Sequence, residues 1–190
     1  MLFIFFIESG TDSGKIPRST AEVFAEFYEQ YMPKIFSYIS YRVTDKHVAE
    51  DLTSSVFEKA LTKFNTFDAK KAAFSTWVFT IARNTVIDYY RDNSKKKEIE
   101  SDTAVFITTQ YTSTEDEVVK AEDFKKLKTC LSKLNKHEQE IISLKFSSEL
   151  TNRKIAQMLG MTESNVGIIL FRAIRKLRDG FGKLENEPGI

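Results

Sequence analysis

The chain has 190 residues, 42% of them hydrophobic, and a formal net charge of +1. That length and content allow one compact domain or two small ones. Seven Gly and three Pro are too few for a sandwich or barrel with many tight turns, and a single cysteine, Cys130, excludes an internal disulfide and fits the cytoplasm. Two distant histidines, His47 and His137, make no metal-ligand cluster, so neither a metal nor a cofactor is expected.

The first seven residues of MLFIFFIESG are apolar. A bilayer span needs about 20, and a signal peptide needs a basic start and a small-residue cleavage site that are missing here. Residues 1–19 read as an extension. Long Lys/Glu-rich periodic segments follow and predict an all-α protein. Phe24, Phe27, Tyr28, Tyr31, Ile35, Tyr38 and Ile39 keep the spacing of one helix face, with Pro33 expected to kink that helix or start its second half. Val48, Leu52, Val56, Ala60 and Phe64 mark a second helix, with Thr44 or Asp45 as its N-cap. Asn65–Ala72 reads as a loop. Phe74, Trp77, Val78, Ile81, Ala82, Thr85 and Tyr89 mark a third helix.

Between Asp92 and Glu115 the text DNSKKKEIESDTAVFITTQYTSTE is polar, lacks a lasting period and is long for a loop within one domain. The expected organisation is therefore two small helical domains, 20–92 and 115–182, joined by a flexible linker at 93–114, with a tail at 183–190. The second domain is expected to open with a helix from about Glu115 to Leu134. Asn135 can cap the next, which carries Ile141, Ile142, Leu144 and Lys145. Charge divides unevenly along this plan. Residues 20–92 hold 9 basic and 10 acidic side chains, residues 98–123 hold 1 and 8, and residues 124–183 hold 13 and 5. A basic C-terminal block invites nucleic acid.

Within that block, NRKIAQMLGMTESNV places Ile155, Leu159, Met161, Val166 and Ile169 where two crossing helices share a small core, with Ala156 at their close approach. Gly160 sits just past a helix end, where a left-handed backbone costs glycine little. Thr162 can cap the next helix by accepting from a backbone N–H near Asn165. This is the pattern of a helix-turn-helix, whose second helix enters the major groove and meets base edges with its N-terminal residues. Arg172, Arg175, Lys176 and Arg178 follow and can pair with phosphates.

The run FSTWVFTIARNTVIDYYRDNSKKK carries more aromatics than one core stripe can take: Trp77, Phe79, Tyr89 and Tyr90 cannot all face the same way. Lys70, Lys71, Arg83, Arg91 and Lys95–Lys97 punctuate them. Rings interleaved with cations suit unpaired nucleic acid, because bases stack while cations track the backbone. Packing of the same rings against neighbouring helices is the competing use, and it is the expected one for Trp77 and Ile81.

Taken together, AEDLTSSVFEKAL, FSTWVFTIARNTVIDYYRD, LNKHEQEIISLKF and IAQMLGMTESNVGIILFRAIRKLR resemble an extracytoplasmic-function (ECF) sigma factor, a small two-domain member of the bacterial sigma-70 family. The resemblance implies a protein that binds core RNA polymerase, directs it to promoters and helps open the minus-ten element. It implies polymerase contacts around Asp45, Glu50, Asp51 and Phe57. Minus-ten contacts would come from Lys70, Lys71, Arg83, Asn84, Asp88, Tyr90 and Arg91, with Asn84 lining the pocket for a flipped base. The minus-thirty-five element would be read by Thr162, Glu163, Ser164, Asn165, Gly167, Phe171, Arg172, Arg175 and Lys176. Partners would be promoter DNA, double- and single-stranded, and an anti-sigma factor, with no small-molecule substrate.

Two departures stand out. Ser54-Ser55 replaces a usual Gln-Glu in the polymerase-facing segment, and Gly167, Ile168 and Ile169 replace residues that are commonly polar or basic in the reading helix. Readout then leans on Ser164, Asn165, Arg172 and DNA shape. The alternative is a helix-turn-helix regulator that binds duplex DNA without polymerase. The sequence offers no nucleophile–base pair and no phosphate-cradling glycine loop, so no enzyme is expected.

Overall fold

The computed structural model describes residues 20–43, 45–97 and 126–186. The N-terminal extension, Thr44, residues 98–125 and the tail from 187 onward lie outside the described residues, and so does most of the expected linker. The side chains of Lys95–Lys97 do too. The described chain is helical throughout, with no strand among the described residues: α1 Thr20–Ser40, α2 Lys46–Lys63, a 3-10 turn Phe64–Thr66, α3 Phe74–Lys97, a short helix α4 over residues 126–132, α5 Lys136–Ser148, α6 Asn152–Leu159 and α7 Glu163–Asn186.

α1 runs unbroken through Pro33. Pro33 lies on an exposed side of the helix, where the carbonyl it deprives of a partner can meet water. Asp45, rather than the undescribed Thr44, caps α2: its carboxylate accepts from the N–H of His47 at 2.8 Å and of Val48 at 3.3 Å. The buried residues of α2 are Ala49, Thr53, Val56, Phe57 and Ala60, and all but Phe57 are small, so its neighbours can approach closely. α3 continues through Lys97, past the expected domain end at 92.

The aromatic excess of the sequence is mostly spent here. Phe27 stacks on Phe74 with ring centres 4.0 Å apart, Phe24 meets Phe64 edge-on at 5.1 Å, and Trp77 leans on Phe67 at 5.1 Å. Each such pair adds about 0.5–1.5 kcal/mol beyond the area it buries. Phe79 is fully buried and meets Tyr38 edge-on at 5.7 Å. Trp77 packs against the core as expected, and Phe79, whose use the sequence leaves open between core and stacking, joins it: α3 is covered on more than one side, by α1, α2 and α5, and needs two apolar faces.

The described part of the second unit opens with α4. Asn135 forms a full capping box with Glu138, each side chain meeting the other's backbone N–H, at 2.9 and 3.0 Å. Leu131, Leu134, Ile142 and Ala173 make a small core that joins α4, α5 and α7. α4 and α7 come so close that a side chain on Gly180 would put its Cβ 3.0 Å from the Cys130 sulfur.

The two units are not separate bodies in this structure. α1 packs along α5, and a single apolar cluster includes Ile35, Tyr38, Ile39 and Phe79 of the first unit with Ile141, Leu144, Ile155 and Val166 of the second. Polar links cross the same seam: Ser147 to Ser37 at 3.3 Å and Lys34 to Glu149 at 2.9 Å.

Candidate nucleic-acid interface

The corner between α6 and α7 is built by local hydrogen bonds. Thr151 caps α6 by accepting from the Lys154 N–H at 3.3 Å. Gly160 ends α6 with φ +67°, a left-handed backbone that costs most residues about 1–2 kcal/mol and glycine little. The Met161 N–H then reaches the Ala156 carbonyl at 3.0 Å. Thr162 opens α7 by accepting from the Asn165 N–H at 3.2 Å, as expected of a threonine at that position. Ile155, Ala156 and Val166 are buried beneath the joint, and Leu159, Met161 and Ile169 pack against them. What remains outward on α7 is a continuous face: Glu163, Ser164, Asn165, Ile168, Phe171, Arg172 and Arg175. Phe171 is the most open of its large apolar residues, at 68% exposure. Arg153 and Lys154 at the start of α6 are also exposed. They were absent from the expected set, although the basic count of the block already contained them.

Two expected members of this face are committed elsewhere. Lys176 binds Glu138 on α5 at 2.7 Å. Burial alone would raise the Glu138 carboxyl, but the Lys176 hydrogen bond, the Asn135 N–H and the nearby Lys176 and Arg172 charges outweigh it and hold the group below the ordinary carboxylate range. Gly167 is half-buried and lies against Asn152, whose side-chain nitrogen would be 4.0 Å from an added Cβ.

The other surface lies on the first unit. Lys70 and Lys71 are exposed in the turn before α3, where Asp68 accepts from the Lys70 N–H at 2.9 Å and pairs with the Lys71 ammonium at 3.7 Å. Thr80, Asn84, Ile87 and Arg91 follow at helical spacing as the open stripe of α3. Arg91 is paired with Asp88 at 2.8 Å. Tyr90 is 39% exposed, and its hydroxyl donates to the Arg42 carbonyl. Burial raises its phenol pKa, and the Arg42 charge opposes that shift. Arg83 points the other way, onto Glu140 of α5 at 2.8 Å.

Two family models match the chain, in the order these two surfaces occur: sigma-70 region 2 over residues 27–96 and sigma-70 region 4 over residues 130–179. The RNA polymerase sigma factor YlaC of Bacillus subtilis is 30% identical over 167 residues, which cover 87% of this chain and 95% of that protein. The chain belongs to the sigma-70 family, in its ECF group. The ECF RNA polymerase sigma factor BldN of Streptomyces coelicolor is 32% identical over 157 residues, covering 83% of this chain, and the chain spans 60% of BldN's length. The fold is similar to that of the sigma factor RpoE, solved with the anti-sigma factor NepR from Bartonella quintana, with a TM-score of 0.67 at 19% identity over 88% of this chain and 99% of that one.

As a sigma factor region 2, the first unit presents Asp45, Glu50 and Asp51 on the outside of α2. Glu50 is engaged by Lys46 at 3.6 Å and by His47 at 3.4 Å. Phe57 does not join them. It is 5% exposed and meets Tyr28 edge-on at 4.7 Å, so it supports the face from beneath and offers a partner no surface. Tyr28, half-exposed over that ring, is the aromatic this face does present. Ser54 is exposed on the same helix.

No helix among the described residues is long and apolar enough to cross a membrane, and no group of three or more His, Cys, Asp or Glu that could hold a metal occurs among them.

Proposed function

We propose that this chain acts in the cytoplasm as a promoter-specificity subunit: it binds core RNA polymerase, selects promoters and holds the opened minus-ten strand. Region 2 and region 4 matching in order on one chain carries that reading. The open α7 face fits major-groove readout, with Ser164 and Asn165 at the helix start facing base edges and Arg172 and Arg175 facing phosphates. The Thr80–Asn84–Ile87–Arg91 stripe, with Lys70 and Lys71 before it, is the surface offered to the unpaired strand, and Asn84 is its candidate base-pocket residue. Few rings are left over for stacking, so hydrogen bonds and cations bear more of strand capture than the aromatic content suggests. Asp45, Glu50, Asp51 and the exposed Tyr28 are the candidate polymerase contacts. RNA synthesis itself belongs to the polymerase, so no catalytic residue, cofactor or small-molecule substrate is assigned to this chain. An anti-sigma factor is the proposed regulator, since the similar RpoE was solved with one.

The test is transcription from a pooled promoter library with bacterial core polymerase, with and without the purified chain. Specific starts should appear only when both are present, while the chain alone holds duplex weakly. Tight, sequence-specific duplex binding by the free chain, with no association with polymerase, would replace this reading with that of a duplex-binding regulator.

A further inference from the structure

α5 turns one carboxylate toward region 2. The Glu140 side chain is 10% exposed, 2.8 Å from Arg83 Nε and 3.7 Å from Arg42 Nη1. The Tyr38 phenol lies in the field of the same three groups. Its hydroxyl is buried without a hydrogen-bond partner, and so are Nε and Nη1 of Arg42, whose side chain is 9% exposed. The cluster therefore holds two guanidiniums and one carboxylate, and it leaves donors over. Arg83 directly precedes Asn84 on α3, beside the stripe offered to the unpaired strand. Glu140 takes the Nε of Arg83, and a phosphate seeking a paired grip that includes that N–H must displace it.

We propose that Glu140 is an internal stand-in for a strand phosphate: it closes region 4 onto region 2 by occupying Arg83, and the promoter strand competes with it for that guanidinium. The competition rests on the sigma-factor reading above, and the closure does not. The leftover charge sets how tight the closure is. A buried ion pair is by itself weak support for an association, and buried donors without partners count against it. The seam is held by its apolar cluster and strained by its surplus cation, so a modest competitor can open it.

This arrangement gives two substitutions opposite signs. Glu140→Gln removes the anion and leaves two guanidiniums facing each other, which opens the seam. Arg42→Met removes the surplus charge and the unpartnered donors while keeping the Arg83–Glu140 pair, which tightens it. If the cluster were ordinary packing, both would loosen it.

Small-angle scattering on the full chain reads the first half. Glu140→Gln should raise the radius of gyration by about 5 Å, the difference between one compact body and two separated ones of this size. Arg42→Met should keep the compact value and unfold at higher temperature than the wild type. A compact Glu140→Gln chain, or an Arg42→Met chain more open than the wild type, overturns the closure. Transcription with core polymerase at limiting chain reads the second half. Glu140→Gln should raise promoter opening by about two-fold, and Arg42→Met should lower it. A Glu140→Gln chain that is open in scattering yet unchanged in promoter opening overturns the competition. A wild-type chain that starts no transcripts removes the sigma-factor reading and the competition with it, and the scattering result on closure still stands.

Discussion

The two surfaces proposed to face DNA are held in different ways. The α7 face of region 4 is fixed from within its own unit. Thr151, Gly160 and Thr162 set the corner through bonds three to five residues long, and Lys176 is tied back to α5 by Glu138. None of these ties crosses to the other unit, and the face stays open when the units are packed together. The polar ties of the α3 face of region 2 come in part from outside. Arg83 is held by Glu140, which lies 57 residues away in sequence. The apolar cluster that the two units share backs both faces, through Phe79 on one side and Ile155 and Val166 on the other. Opening the seam should therefore free a cation on region 2's surface and leave the polar ties of region 4's corner as they are.

The strongest way to break that contrast is to remove a ring from each side. Phe79→Ala empties a fully buried site beside Tyr38 and should cost about 3–5 kcal/mol. Phe171→Ala trims an outward ring and should stay within about 0.5 kcal/mol. Urea unfolding of both variants checks the pair. If Phe171→Ala costs as much as Phe79→Ala, the reading face is not free of the core.

A smaller effect tests whether the corner is set locally. Gly160→Ala must hold a left-handed backbone, since Gly160 has φ +67° with open space around its Cβ direction. The expected cost is about 1–2 kcal/mol, from backbone strain alone. Scattering should show the seam still closed. A variant that opens would mean that the corner also governs how the units meet.

The same division separates what was legible in the sequence from what was not. The corner was readable because every bond that builds it lies within a few residues: glycine at the end of α6 and threonine at the start of α7 state their roles in place. The capping box at Asn135 and Glu138 was half-read, since Asn135 was recognised and Glu138 fits the same local rule. Phe79 stays ambiguous in the sequence because helical periodicity assumes a single buried face, and α3 has more than one. The resemblance puts Phe57 among the polymerase contacts, yet its ring turns inward under Tyr28. The Arg83–Glu140 pair has no local signature at all. Charge counts gave region 2 a near-neutral sum and region 4 a basic one, but no count says which acidic residue of a basic unit faces its neighbour.

The smallest expected effect concerns Glu138, the carboxylate that holds region 4 to itself. Its folded pKa lies below the ordinary value, about 4.3 in an unfolded chain. A carboxyl with a depressed folded pKa adds stability above its unfolded value and loses it as pH falls through the folded one. Glu138→Gln keeps the capping-box geometry, because Gln serves at that position too, and removes both the charge and the acceptor oxygen that Lys176 meets at 2.7 Å. At pH 7 the variant should be less stable by about 1 kcal/mol. That gap should shrink as the pH drops from 5 toward 3, because the wild-type carboxyl becomes neutral as well. Urea midpoints of the two chains at pH 7 and pH 3 decide it. A gap that stays constant would mean that the Lys176 charge contributes nothing. Lys176 could then leave Glu138 for DNA at little cost, and the α7 face would be less self-held than the comparison with region 2 requires.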